Sequence, residues 1–442
     1  MFYSEALDYI RAIEADGSDY GLERERELLD ALGSPDVAYP VVHIAGTNGK
    51  GSVSAMLTAV LTAAGYRVGT YNSPSVLRYN ERFRIAGKPL SDDKVAEYMT
   101  VVRDVTERER AARSAAATAE DGRAAAMKAF RPTAFEQETA LALLAFREEG
   151  CDAVVLETGL GGRWDATNAV KKKILSVITK IGRDHCALLG DTLGEIAREK
   201  AAIIRGAAVT CPQEKGAAEV LYPLCRVCGE AKPLARSLAG QRFLYGGEEY
   251  ATRLLGAHQL VNAALAVEAA NMLREQGMRV TPQAVKEGLE RAVWHARFEV
   301  LTADNIAQSP YDIVIPQGKT LVLDGAHNPQ GAQALAETVA EYLPARRIAA
   351  VVGVLADKEY AKAMQAALPF ASEVYTVTPD SPRALSAGAL AECCKSVTDA
   401  PVSVCGGVRE AVEEALAGEC DTTVVFGSLT LFHELAKKDA DA

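Results

Sequence analysis

The sequence predicts a two-domain α/β protein built on doubly wound parallel sheets, and three observations carry that prediction. Short apolar, β-branched runs alternate with stretches of apolar residues at helical spacing over nearly the whole chain, which is the pattern of β-α-β units. One of these transitions, VVHIAGTNGKGS at residues 41–52, is a glycine-rich turn between a strand and a helix, where such folds receive phosphate groups. A stretch rich in Pro, Gly, Ser and Gln, residues 303–319, separates a first α/β series from a second. The domain boundary is therefore set near residue 300, with a larger domain over 1–300 and a smaller doubly wound one over 301–442.

Taken in order, MFYSEALDYIRAIEADG is an amphipathic helix and residues 21–33 a charged one, leading into the strand before the glycine loop. Residues 66–74 read as a second strand ending in a polar turn, and NERFRIAGKPLSDDKVAEYM as a short strand, a turn and a capped helix. Residues 103–130, rich in Ala, Arg and Glu with little apolar periodicity, suggest a helical, mobile surface excursion. Then FEQETALALLAFREEG is a helix, CDAVVLETG and ILSVITKIG are strands, DTLGEIAREKAAIIRG is a helix and AAVTCP a strand. Residues 213–255 are less regular, with QRFLYGGEEYATRLLG as a short antiparallel excursion, before two helices from His258 and Thr281. The second series opens at TLVLDGAHNPQGA and alternates strand and helix to TTVVFGSLTLFHEL.

Composition narrows the function classes. The formal net charge of -11 over 442 residues disfavours a nucleic-acid or anionic-membrane surface, both of which would be repelled. No run of about 18 consecutive apolar residues is present, and the N-terminus has no basic start or cleavage site. Nine cysteines without framework spacing fit reduced thiols in a cytoplasmic protein. Cys225 and Cys228 form an isolated C-x-x-C, read as incidental rather than as a zinc site.

In open parallel sheets, ligands bind beyond the carboxyl ends of the strands, so polar residues just after apolar runs are the candidates for chemistry. The first cluster is Gly46, Thr47, Asn48, Gly49, Lys50, Gly51 and Ser52. Backbone N–H groups, the helix dipole and Lys50 together suit polyphosphate there. The usual G-x-x-x-x-G-K-[ST] spacing is not met, because Ile44 stands at the first glycine and Gly51 intervenes between Lys50 and Ser52. Ser73 offers a hydroxyl after the second strand. Glu157, ending a fully apolar strand, is a candidate ligand for Mg²⁺, the alternative being an ion pair with Arg163. Asp184 and His185 follow another strand, with Lys200 on the next helix. Asp324, His327 and Asn328 open the second series and are placed to face the first site across a cleft.

These blocks carry a resemblance. HIAGTNGKGS, YNSP with NERFRI, FEQETALA, VLETGLGGRWDATN, IGRDHCALLGDTLGEIAREKAAII, HQLVNAALA, DGAHNPQGA, VVGVLADKE and PRA occur in this order. In that, the chain resembles the folylpolyglutamate synthase and dihydrofolate synthase family of the Mur ligase superfamily. The resemblance implies an N-terminal, P-loop, Mur-ligase-like ATP-binding domain and a C-terminal Rossmann-like domain with the active site between them. It implies ATP phosphates on Gly49, Lys50, Gly51 and Ser52, and Mg²⁺ at Ser73, Glu157 and His185, with a monovalent cation as a further candidate. It places Asn262, Arg297 and Asp324 against the nucleotide and His327 at the interdomain cleft, and it matches Lys200 to a lysine that becomes carbamylated. The catalytic set it implies is Lys50, His185, Lys200 and His327.

Two departures stand out. SPSV replaces the family's SPHL or SPYL, which bears on contacts to the pterin, and Trp294-His295-Ala296-Arg297 replaces W-x-G-R, which bears on how Arg297 is presented. The expected activity is ATP-dependent addition of L-glutamate to a reduced folate or dihydropteroate, by a cytoplasmic monomer that binds neither nucleic acid nor membrane. The alternatives are a dihydrofolate synthase only, another Mur-type amino-acid ligase and, more remotely, a P-loop kinase or ATPase.

Overall fold

The computed structural model describes residues 1–14, 21–116 and 130–437. The first sheet holds β1 (Val41–Ala45), β2 (Val68–Tyr71), β3 (Phe83–Ile85), β4 (Lys88–Pro89), β5 (Ala153–Glu157), β6 (Lys173–Ile178), β7 (Ala208–Thr210) and β8 (Arg226–Val227). Their spatial order is β4-β3-β2-β5-β1-β6-β7-β8. β1 lies between β5 and β6 and is parallel to both, so the glycine loop leaves the sheet at its middle, where the connections diverge to either side. Every residue of β1 and β5 is buried, as expected of parallel strands covered on both faces.

The helices of this unit are α1 (Tyr3–Glu14), α2 (Glu23–Ala31), α3 (Lys50–Ala63), α4 (Asp92–Ala116), α5 (Ala134–Glu148), α6 (Cys186–Leu189), α7 (Leu193–Ala201), α8 (Lys215–Leu221), α9 (Ala257–Glu275) and α10 (Pro282–Arg291). Met56, Leu57, Val60 and Leu61 of α3 pack with Leu260, Leu265 and Leu273 of α9 in one core layer. Leu28 and Leu29 of α2, Val95 and Val102 of α4 and Leu141 and Leu143 of α5 pack in the layer on the opposite face. Each such side chain fully buried contributes about 1.5–3 kcal/mol. α5 and α7 start at capping boxes, Thr133 with Glu136 and Thr192 with Glu195, which satisfy free N–H groups at the helix starts.

The second sheet holds β12 (Glu299–Leu301), β13 (Thr320–Leu323), β14 (Ile348–Val352), β15 (Glu373–Thr376), β16 (Val402–Val404) and β17 (Thr422–Phe426), ordered β12-β13-β17-β14-β15-β16. It is covered by α11 (Pro329–Tyr342), α12 (Tyr360–Ala367), α13 (Ala387–Lys395) and α14 (Val408–Ala417). All pairs but one in this sheet are parallel. The exception is the edge strand β12, antiparallel to β13.

The expected parallel sheets thus gain antiparallel edges: β3 pairs antiparallel with β2 and β4 with β3. The expected antiparallel excursion within 213–255 is a three-stranded sheet, β9 (Lys232–Ser237), β10 (Gly240–Tyr245) and β11 (Glu248–Thr252). Its Phe243, Tyr245 and Tyr250 pack on the α3–α9 layer. Of the excursion expected over 103–130, residues 117–129 lie outside the described residues. The helix before them is no loose excursion, since Val105 and Thr106 are buried. Cys225 and Cys228 are buried, unpaired and belong to different core clusters. No described helix is long and apolar enough to cross a membrane.

Two features join the sheet units. Val76 and Leu77, from the loop after β2, are buried in the second sheet's core with Leu321, Leu323, Val425 and Leu431. The chain passes from α10 to β12 through a tight segment in which Ala296 and Phe298 adopt left-handed backbone angles, φ 54° and 45°. Each such angle costs a non-glycine residue roughly 1–2 kcal/mol. Phe298 N–H donates to Asp324 Oδ2 at 2.8 Å, which fixes the bend.

Candidate active site

A cavity of about 510 Å³ lies between the two sheets, beyond the carboxyl end of β1. Seventeen candidates from the sequence line it: Gly46 to Ser52, Ser73, Glu157, Asp184, His185, Lys200, Asn262, Arg297, Asp324, His327 and Asn328. The loop after β1 is fixed from below, where Thr47 N–H and Asn48 N–H donate to Lys180 O at 3.0 and 3.2 Å. Gly49 has φ 91°, and a side chain there would collide with Asn262. A glycine is required on both counts.

Lys50 opens α3, and its Nζ lies 3.8 Å from Glu157 Oε1. Asn72 donates to Glu157 Oε2 at 2.6 Å and to Ser54 Oγ at 2.8 Å. Burial raises the Glu157 carboxyl above its ordinary range, while Lys50 and Asn72 oppose that rise. The alternative pairing of Glu157 with Arg163 is overturned: Arg163 pairs instead with Glu199 at 3.0 Å. The Arg163 side chain belongs to the exposed shoulder of a glycine-rich loop, whereas Glu157 turns into the cavity.

His185 sits at the start of α6 with φ 52°, and burial pushes its imidazole down to about 4; Asp184 opposes the shift, and Lys358, Lys200 and Lys50 add to it. The ring is neutral at physiological pH, the form that ligates metals. Its Nε2 lies 3.4 Å from Lys358 Nζ. Asp184 receives two groups from the second unit, Lys358 Nζ at 2.8 Å and His327 Nε2 at 3.7 Å. Although burial works the other way, His327 and Lys358 hold the Asp184 carboxyl far below its usual range.

Lys200 is 5% exposed, and burial followed by repulsion from Lys50 pushes its ammonium down to about 7, against Asp184 and Asp165. Among the described residues no carboxylate lies within ion-pair distance of it. The shift favours the neutral, nucleophilic amine near neutral pH far more than for an exposed lysine. Across the cavity, Asp324 accepts from Phe298 N–H and Ala326 N–H, each at 2.8 Å, so it orders the wall that carries Arg297 and His327. Arg297 donates to Ala296 O at 2.8 Å. Ala296 occupies the left-handed angle that a glycine would fill, so the departure from W-x-G-R leaves the backbone route intact at the cost of strain.

The donor set bears on a divalent metal. Among the described residues no three His, Cys, Asp or Glu side chains cluster as a protein-only metal cage. One buried carboxylate beside a phosphate loop, with the Ser52 and Ser73 hydroxyls nearby in the wall, is the kind of site that binds magnesium through one or two protein oxygens plus substrate phosphates. The residues fit that group.

The sequence reading missed Gln330 and Gln259, which bond to its candidates. Asn48 Nδ2 donates to Gln330 Oε1 at 2.6 Å, and Asn328 Nδ2 donates to Asn48 Oδ1 at 3.1 Å, so the phosphate loop is bonded directly to the second unit. Gln259 donates to Ser52 Oγ at 3.2 Å and accepts from Asn262 at 3.0 Å. Its spacing from Asn262 was the available signal, since residues three apart share a helix face. A second cavity of about 380 Å³ shares Gly159, Leu160 and Gly161 with the first. Phe135, Trp164, Leu188 and Leu189 line it beside Asp165. Trp164 is 51% exposed and Asp165 6%, an aromatic wall with one anchored carboxylate. Of the SPSV departure, Ser73 and Pro74 line the first cavity and Val76 is buried in the second core.

Comparison with known proteins gives a consistent picture. Residues 312–429 match the family model described as Mur ligase, glutamate ligase domain. The dihydrofolate synthase/folylpolyglutamate synthase of Bacillus subtilis is 33% identical over 464 aligned positions, covering 99% of each chain. The folylpolyglutamate synthase of Mycobacterium tuberculosis, solved with ADP and AMPPCP, superposes with a TM-score of 0.81 at 30% identity over 97% of each chain. A bifunctional folylpolyglutamate synthase/dihydrofolate synthase solved with Mn, AMPPNP and L-glutamate superposes with a TM-score of 0.77 at 28% identity, covering 98% of this chain and 97% of that one.

Proposed function

The chain belongs to the folylpolyglutamate synthase/dihydrofolate synthase family, and from that premise we propose how its cavity adds L-glutamate to a folate. It is an ATP-dependent acid–amino-acid ligase that uses ATP and a divalent metal. The observation that carries the reading is the 3.8 Å approach of Lys50 to Glu157 at the mouth of β1, with Asn328 and Gln330 of the second unit bonded to the same loop. A kinase or simple ATPase would leave that second wall without a purpose.

A carboxylate resists attack by an amine because its carbonyl is electron-rich and its oxygen leaves poorly. In our reading the polyphosphate lies on Gly46 to Ser52, with Lys50 offsetting charge as the γ-phosphoryl group shifts. An oxygen of the acid attacks the γ-phosphorus, ADP departs and an acyl phosphate forms. The glutamate amine then attacks the acyl carbon, loses a proton and expels inorganic phosphate. A divalent metal, when bound, supplies positive charge to the phosphate oxygens; Ser73, Glu157 and His185 would hold it. Asn262, Arg297 and Asp324 line the nucleotide's side, and His327 faces the incoming amino acid from the second unit. Contact between the units excludes water, which would otherwise hydrolyse the acyl phosphate.

Lys200, with its lowered ammonium pKa, is the residue we assign to carbamylation. Its neutral nitrogen attacks carbon dioxide, releases a proton and becomes an anion able to sit beside a metal. We assign the second cavity to the flat pterin end of the acid, with Phe135 and Trp164 offering ring faces and Asp165 a fixed acceptor. We retain a division near residue 300, a single protomer as the working unit, a cytoplasmic location and small molecules as the only partners.

The test is ADP release in the presence of glutamate and either dihydropteroate or tetrahydrofolate, with mass analysis of the products. A mass gain of one glutamyl residue on either acid is expected. Lys50→Ala and Glu157→Ala should each lower glutamate-dependent ADP release at least ~100-fold; near-normal turnover in either variant would discredit the site.

A further inference from the structure

Gly51 is the residue that sets this phosphate loop apart from the usual spacing, and nothing about its own backbone explains it. It lies in the first turn of α3 and is absent from the glycines with positive φ. On conformational grounds alanine would be preferred there. The explanation lies behind the loop. A Cβ on residue 51 would lie 2.7 Å from Trp294 Nε1, 2.8 Å from Cε2 and 2.9 Å from Cζ2. Those atoms belong to a rigid bicycle, and the Arg84 guanidinium lies over the ring, 5.6 Å from its centroid. Arg84 is itself held, donating to Glu81 O at 3.1 Å. The half-buried ring packs against the α3–α9 core layer.

Trp294 does not line the cavity, and its Nε1–H is buried without an acceptor among the described residues. The indole therefore serves by its shape and not by a hydrogen bond. It also begins the short crossing segment whose Arg297, three residues on, does enter the cavity.

We infer that Trp294 is a positioning residue for the nucleotide: its indole is the rear wall of the phosphate loop, takes the space of a side chain at residue 51, and ties the loop's height to the placement of Arg297. The inference rests on the proposed nucleotide role of this cavity. Pressing the loop forward would disturb the N–H groups of the first turn, while the folate and glutamate sides would be left alone.

The experiment is a double-mutant cycle between residues 51 and 294, read by titration calorimetry with MgATP and by steady-state kinetics. Gly51→Ala alone is expected to raise the Kd and KM for MgATP roughly tenfold or more, with the KM values for folate and glutamate changed less than about twofold. In the Trp294→Ala background the same methyl meets no ring, and Gly51→Ala is expected to cost less than about threefold. Should Trp294→Ala fail to fold, Trp294→Leu takes its place, with circular dichroism melts run on every variant. An equal loss from Gly51→Ala in both backgrounds would show that the glycine answers to the phosphate and would overturn the inference, as would a harmless Gly51→Ala in the wild type. If the wild-type protein binds MgATP but forms no glutamyl product, the ligase reading fails while the cycle still decides the role of Trp294.

Discussion

At the scale of single residues, the sequence identified candidates by the place they occupy after an apolar run, and that logic is sound because parallel strands all deliver their carboxyl ends to one rim. Glu157, His185, Asp324 and the loop from Gly46 to Ser52 were legible in this way. Asn262 and Arg297 were not, because each sits in a helix or a crossing segment with no local mark of function; only the resemblance pointed to them. Environment was illegible too. Lys200 reads in the sequence as one of 48 basic residues, yet burial brings its ammonium down to about 7, well under the ordinary value of about 10.4. The sign of the consequence is fixed: the neutral amine grows as pH rises through 7, so capture of carbon dioxide should be strong at pH 8 and weak at pH 6. With ¹³C-bicarbonate, a carbamate resonance is expected at the higher pH and not in Lys200→Arg; its absence from the wild type at pH 8 would remove carbamylation from the scheme.

At the scale of elements, long periodic segments were legible and short edges were not. The alternation from β5 through α7 follows directly from apolar periodicity, but β12 has three residues and β4 two, too few for any period to show. Their antiparallel pairing is set by neighbouring strands that present an open edge. A second surprise lies inside α2, where Glu25 is 0% exposed and neither carboxylate oxygen has a partner among the described residues. Burial, reinforced by Glu136, raises its carboxyl well above the usual range. A carboxyl with a raised native pKa favours folding fully only below its unfolded value of about 4.3 and loses that support as pH climbs. Glu25→Leu should therefore stabilise the protein at pH 7.5 by about 1–3 kcal/mol, with a smaller gain at pH 4. Urea unfolding at the two pH values measures it, and a destabilised variant at pH 7.5 would show that Glu25 has a role the fold needs.

At the scale of the whole molecule, two doubly wound sheets were legible, but not what binds them together, since no sequence pattern records which loop meets which wall. Among the described residues the ties include Asn48 with Asn328 and Gln330, Asp184 with Lys358 and His327, Gln241 with Tyr342, and Val76 with Leu77 in the opposite core. The Asp184–Lys358 pair has side chains only 13% and 11% exposed, so it is better shielded from salt than a surface pair. Loosening it should admit water. Lys358→Met is expected to release ADP in excess of glutamate incorporated, where the wild type keeps the two equal; an unchanged ratio would remove Lys358 from the closure of the site. The burial of Val76 and Leu77 reaches further still. Because one half lends two of its side chains to fill the other's interior, the pieces are not interchangeable modules: severing the backbone near residue 300 should yield fragments that stay clasped, and the carboxyl-terminal fragment made alone should be sticky, with a greasy hole where its missing plug belongs.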